Sequence, residues 1–406
     1  MPVGEAIQVT FELVTPAYAG GAEREKCDGL RPPTLKGLLR FWWRALHPEL
    51  QGRQLFEREA ALFGSTDPSV GQRLRVVPGS PWQAPAHDPA GTPEENQTHG
   101  YMAYGAVVRE EGMSQPQTTV ARIHARQKAT FGLHLPRTGA EQAHNELIRT
   151  LWVLSAFGGI GSRSRRGWGS LRLECDFGNL PDPHNGDSRQ DTVALLKKGL
   201  EAAAGSALQW SQEPDHTAFS AKATVLIGPV SRDCGVEQAL RPARNALLLY
   251  RRSLGTGQRG ARRGPDGQVR ARWLSTGLGG QETAPFGSSF GLPHNANYLR
   301  LNPRRVVQVG AGEDLKGRRA SPVFFKLLRV GSVLAPVILY LPSRFIPDDI
   351  GIYAQVDSGS PARLNYRGDV AIRHFLGTAS AFDVTQAGLS GVAWCGLLNM
   401  GWERIW

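Results

Sequence analysis

The sequence predicts an α+β protein made of two tandem domains with insertions. Three observations carry this reading. At 406 residues the chain exceeds the usual size of one domain. Segments of strand period and helix period alternate through its first half. The second half then repeats the order of the first.

The first element is a strand, because Ile7, Val9, Phe11 and Leu13 alternate with Gln8, Thr10 and Glu12. A glycine-containing loop spans residues 19–30. The string LRPPTLKGLLRFWWRALHP follows, with Pro33 suited to a first helical turn and Pro48 marking the stop. On this helix Leu35, Leu38, Leu39, Trp42 and Leu46 share one face. Lys36, Arg40 and Arg44 stand four apart on another, a basic stripe that is either a solvated face or a binding face. Residues 78–100, rich in Pro, Gly and His without periodicity, read as a long exposed loop or insertion. Order returns with Phe131, Leu133 and Leu135 alternating in a strand, then a helix over about 140–157, then Leu171, Leu173 and Cys175 alternating again. A further strand fits between residues 70 and 125. The result is the βαββαβ order of a ferredoxin-like domain, placed at residues 1–180.

Residues 181–191 read as a linker, and a second ferredoxin-like domain is expected over 190–406. Phe219, Ala221, Ala223, Val225 and Ile227 alternate, and LRPARNALLLYRRSL at 240–254 repeats the first helix when Pro242 is set on Pro33. Residues 369–382 supply a second helix. Gly401 and Trp402, followed by residues 403–406, echo Gly167 and Trp168 and their strand.

The most informative segment joins the 140–157 helix to the strand at Leu171. FGGIGSRSRRGWGSL, residues 157–171, packs five glycines and three arginines around one tryptophan. Gly159, Gly161 and their neighbours let the backbone approach phosphates. Arg163, Arg165 and Arg166 offer forked donors matched to phosphate oxygens, and Trp168 offers a face for base stacking. The formal net charge of +11 favours a polyanionic partner. The charge also clusters: between 251 and 272 stand Arg251, Arg252, Arg259, Arg262, Arg263, Arg270 and Arg272 against the single acid Asp266. Candidate RNA-binding residues are therefore Lys36, Arg40, Arg44, Gly159, Gly161, Arg163, Arg165, Arg166, Trp168, Arg251, Arg252, Arg259, Arg262 and Arg263.

Other motifs carry less. Gly255, Gly257 and Gly260 spell G-x-G-x-x-G, but after a helix and among arginines, where a dinucleotide site would need a preceding strand. Gly287, Ser289 and Gly291 spell G-x-S-x-G without the strand that a nucleophile elbow requires. FGSSFGLPH reads instead as a turn that tucks Phe286 and Phe290 inward. The four cysteines are too dispersed for a ligand pair or a disulfide framework, and the ten histidines form no ligand spacing. No metal or cofactor is predicted. His134 and His144 are the histidines that could approach the glycine loop for acid–base cleavage of RNA. Glu5 and Glu12 and the lack of a basic or apolar leader argue against a secretory signal. The run at 330–341 is too short and too interrupted for a membrane span. A cytoplasmic protein without membrane contact is expected.

TPAYAGGA with LRPPTLKGLLRFWWRAL in the first half, and GGIGSRSRRGWGSL after it, resemble the RAMP superfamily of CRISPR proteins. More narrowly they resemble the family of first-numbered Cmr subunits in type III-B effector complexes, and FGSSFGLPH and RRASPVFFK at 318–326 fit the same pattern. The resemblance implies tandem ferredoxin-like, RRM-type domains in a non-catalytic RNA-binding subunit serving antiviral defence. Such a subunit holds the guide RNA 3′ region and target RNA at one end of a ribonucleoprotein with other Cmr subunits. Superfamily members that cut RNA use an aspartate from the loop after the first strand, and Asp28 stands there with Glu23 and Glu25. The matched subunit is not the cutting one, so Asp28 is only a candidate catalytic residue. The alternative is a metal-independent RAMP endoribonuclease that processes guide precursors. A third class is a pure scaffold, with FWW and the apolar turns serving subunit contacts, a reading that an exposed Trp43 would favour.

Overall fold

The computed structural model describes residues 6–21, 23, 26–27, 29–66, 69–70, 73–82, 102–103, 106–108, 117–118, 120–135, 140–230, 235–254, 264–279, 282–292, 296–298, 305–344, 346–347, 349–366, 368–392 and 394–406. Asp28, Arg259, Arg262, Arg263 and residues 83–100 of the expected insertion lie outside this set. The described fold mixes helices with antiparallel sheets. It divides into two compact units. One comprises Met1–Arg244, Phe324–Pro342 and Arg404–Trp406; the other comprises Asn245–Val323 and Ser343–Glu403. The 324–342 hairpin and the last three residues thus belong with the first unit.

The first unit opens with β1 (Ile7–Leu13) and the short β2 (Ala17–Tyr18). Helix α1 (Pro32–Ala45) starts on its prolines, as their fixed φ and missing N–H allow, and α2 (Gly52–Phe63) follows. Small strands β3 (Ser65–Thr66) and β4 (Ser69–Val70) pair with each other ahead of β5 (Arg75–Pro78). Strands β6 (Val107–Val108) and β7 (Gln117–Thr118) form another ribbon, and β8 (Arg122–Ile123) pairs with β2. Then come β9 (Lys128–His134), α3 (Ala140–Phe157) and β10 (Leu171–Glu174). The resulting sheet has the order β10-β1-β9-β5, all antiparallel. The expected strand between residues 70 and 125 is β5.

Strand alternation does what its period requires: Val9, Phe11 and Leu13 face the core opposite Phe131, Ala129 and Leu171. Glu12, on the other face, is nonetheless only 5% exposed, because Arg329, Lys128 and Arg172 gather over its carboxylate at 2.7, 3.8 and 4.0 Å. Trp43, whose exposure would have favoured a scaffold reading, is fully buried and donates from Nε1 to Glu146 at 2.9 Å.

The expected linker is ordered and packed. His184 is buried, Trp152 Nε1 donates to the Pro181 carbonyl at 2.6 Å, and Ser188 and Asp191 close a reciprocal cap on α4 (Arg189–Leu208). Strand β11 (Thr224–Ile227) is shorter than the 219–227 alternation suggested and buried along its whole length. Helix α5 (Val236–Ser253) begins six residues before Pro242, which sits inside the helix and not at its first turn. Further along, β14 (Val323–Val330) and β15 (Val333–Tyr340) turn at Gly331 and join a second sheet of order β14-β15-β11-β18, where β18 is Glu403–Arg404. One apolar core runs under both sheets, from Phe11 and Leu39 through Trp152 and Leu200 to Val225, Leu328 and Val337.

In the other unit, α6 (Pro265–Thr276) packs Trp273 onto a third sheet of order β12-β13-β16-β17, with strands Ala296–Tyr298, Arg305–Ala311, Ile352–Val356 and Ala362–Leu364. The expected helix at 369–382 is two pieces, α7 (Val370–Leu376) and α8 (Ala381–Gln386), parted by Gly377 in a left-handed conformation. Phe286–Phe290 is a buried 3-10 turn, with Phe286 and Phe290 tucked inward as the sequence suggested. Among the described residues no helix is long and apolar enough to cross a membrane.

Candidate nucleic-acid interface

The glycine loop at 158–170 is a rigid object held from two sides. On one side it follows the chain after β1. Ser162 N donates to Tyr18 O at 2.8 Å, Gly169 N to Pro16 O at 2.7 Å, and Ser170 N to Thr15 Oγ1 at 2.9 Å. Thr15 Oγ1 in turn donates to Gly167 O at 2.8 Å. Two glycines are required by this closeness. At Gly161 (φ +86°) a Cβ would stand 2.4 Å from Tyr18 O, and at Gly169 (φ +64°) it would stand 2.1 Å from Ile160 O.

On the other side the loop lies along β14, whose residues meet it one after another. Arg165 Cζ sits 4.4 Å from the Phe324 ring centroid. Phe325 N donates to Arg165 O at 3.1 Å, and Arg166 bridges Phe325 in parallel with its Cζ 5.9 Å from that ring. Lys326 Nζ donates to Gly158 O at 2.7 Å and Leu171 O at 2.5 Å, tying both stems of the loop. Leu327 N donates to Ser170 Oγ at 3.1 Å. Burial holds the Lys326 amine well below its ordinary pKa. Beside it His184 places Nε2 3.1 Å from Ser155 O and receives Arg329 N on Nδ1 at 3.2 Å. Burial, then the Lys326 charge, push His184 well below the usual imidazole range.

Of the loop's candidate contacts, Arg163, Arg165 and Arg166 are half-buried and keep part of their surface in solvent. Trp168 is not among them. Its indole is 1% exposed and edge-on to Tyr18 at 5.4 Å, so it is core and offers no face to a base.

The basic stripe of α1 is largely spent inside the fold. Lys36 Nζ donates to Phe63 O at 3.1 Å, and Arg40 reaches Glu59 at 2.9 Å and Gly64 O at 2.5 Å. Arg44 meets the other Glu59 oxygen at 2.7 Å. These cations hold a carboxylate and the last carbonyls of α2, a place that favours positive charge. Burial and the neighbouring Arg40 lower the Lys36 pKa.

The 251–272 cluster is also partly structural. Arg252 is exposed and Arg251 half-buried at the end of α5. Arg270 is 1% exposed, Arg272 pairs with Glu282, and the buried Asp266 accepts Phe286 N and Gly287 N, each at 2.7 Å.

Neither proposed histidine approaches the loop. Leu171, where the loop ends, pairs with Leu13, whereas His134 lies at the opposite end of β9, past Leu133 and Ile7. Six residues of strand put it about 20 Å away. His144 is near the start of α3, about 20 Å of helix from Gly158. Among the described residues no group of three or more His, Cys, Asp or Glu is placed to hold a metal ion.

The site also contains residues that sequence reasoning passed over. Thr15, Tyr18, Phe324, Lys326 and Ser170 build the loop's seat; the strings TPAYAGGA, GGIGSRSRRGWGSL and RRASPVFFK contain them, but none of the five is legible as a site residue from its string alone.

Residues 10–172 match the family model for the RAMP superfamily. Among solved structures, the crystal structure of Cmr1 from Pyrococcus furiosus, in its apo form, matches with a TM-score of 0.55 at 16% identity, covering 99% of this chain and 98% of that one. The two share a fold over nearly their whole lengths. A chain from the type III-B Cmr-beta complex bound to cognate target RNA matches with a TM-score of 0.44 at 13% identity, covering 85% and 97%. No curated protein matches in sequence.

Proposed function

We propose that this protein is a non-catalytic RNA-binding subunit of a type III-B Cmr RNA-guided effector complex. It holds the guide RNA 3′ region and target RNA at one end, beside other Cmr subunits. The observation that carries the reading is the loop itself: three arginines displayed on a backbone fixed by β2 and β14. A preorganised cationic loop recognises phosphates and shape without reading bases, as suits a complex in which guide–target pairing supplies sequence specificity.

The fold reading extends the same way. In each of the first two sheets the strands, counted in chain order, lie 4-1-3-2, with α1 and α3 in the first set of connections and α5 and α7 in the second. This supports two tandem ferredoxin-like domains, over 1–180 and 190–406, the second interrupted by the third sheet. Gly167 and Gly401 share φ near +80° and each precedes a buried tryptophan, in support of the internal repeat.

Fluorescence anisotropy with single-stranded RNA at several salt concentrations tests the reading. Changing Arg163, Arg165 and Arg166 to glutamate is expected to weaken binding and to flatten the salt slope by roughly 0.7 for each phosphate that the loop no longer neutralises. Wild-type affinity and slope in that variant would remove the loop from the interface.

A further inference from the structure

With Trp168 in the core, the loop's aromatic chemistry lies elsewhere. Arg165 Cζ is 4.4 Å from the Phe324 centroid and 5.3 Å from the Phe41 centroid, and those two rings are 6.0 Å apart. Trp42 is buried against both, at 5.2 Å from Phe41 and 5.6 Å from Phe324. Phe324 is itself buried, while Phe41 and Arg165 remain half-exposed. The Arg165 backbone is fixed by Phe325 N. A guanidinium resting on rings in this way has given up the freedom to follow a mobile phosphate, yet Arg165 and Phe41 both keep part of their surface in solvent.

We propose that Arg165, backed by Phe324 and Phe41, is a stacking seat for one unpaired nucleobase of single-stranded RNA, with Arg163 and Arg166 meeting the flanking phosphates. This inference rests on the RNA-binding reading above. Guanidinium planes and aromatic rings both receive splayed bases, and such stacking tolerates any base. Bases within a paired A-form helix are not splayed, so the seat selects a single-stranded or everted nucleotide.

The test uses the full chain and a short single-stranded RNA carrying 2-aminopurine at successive positions. Wild type is expected to change the 2-aminopurine fluorescence at one position, and an abasic nucleotide there to weaken binding roughly 5- to 150-fold. Arg165→Lys keeps the charge, so it is expected to keep the salt slope while losing the fluorescence change and a similar factor of affinity. Wild-type binding without a fluorescence change at any position, or indifference to the abasic nucleotide, overturns the seat and leaves RNA binding standing. An Arg165→Lys variant indistinguishable from wild type also overturns it. Failure of wild type to bind RNA overturns the RNA-binding reading, and the seat with it. The abasic arm needs no substitution, so it decides the matter even where Arg165→Lys disturbs folding.

Discussion

Lys326 Nζ lies 2.7 Å from the carbonyl oxygen of Gly158, and the two residues are separated by 168 positions in sequence. Through this bond and its second, to Leu171 O, a fully buried amine fixes both stems of the arginine-bearing loop. The loop's shape thus depends on a strand far along the chain as much as on its own glycines.

Removing that anchor is costly. Lys326→Met leaves two buried carbonyls without the amine, and each unsatisfied polar group costs about 1–3 kcal/mol. Urea denaturation is expected to show a lower midpoint with an unchanged m-value. A midpoint equal to wild type would mean that the loop is held without Lys326.

The buried His184 makes stability fall with acid. Its folded pKa lies well below its ordinary value, so under mild acid the unfolded chain binds a proton that the folded chain refuses. Stability is fully present above about pH 6.5 and is lost as pH falls toward the folded pKa. Lys326, also depressed, has the same sign in a higher window, losing stability as pH falls below its unfolded value. Denaturation midpoints between pH 7.5 and 5 are expected to decline in wild type and to decline less in His184→Gln. Equal slopes in the two proteins would assign the acid sensitivity to other groups.

Gly169→Ala places a methyl group against Ile160 O in a left-handed backbone conformation. Strain of this kind costs roughly 1–3 kcal/mol. A thermal melt is expected to shift down by several degrees, with RNA affinity reduced as the loop deforms. An unshifted melt would show that the loop can relax around the added carbon.

On α1 the expected balance is reversed. Arg40→Ala loses its bonds to Glu59 and Gly64 and is expected to cost about 1 kcal/mol, discounted for partial exposure. RNA affinity should change by less than about threefold, the scale of one weak phosphate interaction. A large affinity loss with normal stability would return the basic stripe to the interface.

Much of this was legible in the sequence because it rests on local patterns. The period-two run at β1, the proline start of α1 and the limits of α3 follow from residues adjacent in the chain. The glycine loop announced itself by composition. Other features were hidden because they are made by distant partners. The roles of Lys36, Arg40 and Arg44 depend on Glu59 and the end of α2, which helix periodicity does not reveal. Trp168 is buried by Tyr18, a residue 150 positions earlier. Helix α4 went unread although its start carried a signal, Ser188 and Asp191 in capping-box spacing ahead of Leu196 and Leu200. Pro242 misled for a different reason: proline favours a first turn, yet this one lies within α5.

RNA is proposed to lie on the 158–170 loop. Photocrosslinking the full chain to 4-thiouridine-labelled single-stranded RNA, with the joined peptides identified by mass spectrometry, tests it most directly. Crosslinks within residues 158–170 and on neighbouring β14 residues are the predicted result. Crosslinks confined to other segments, with the loop peptides recovered unmodified, would contradict it.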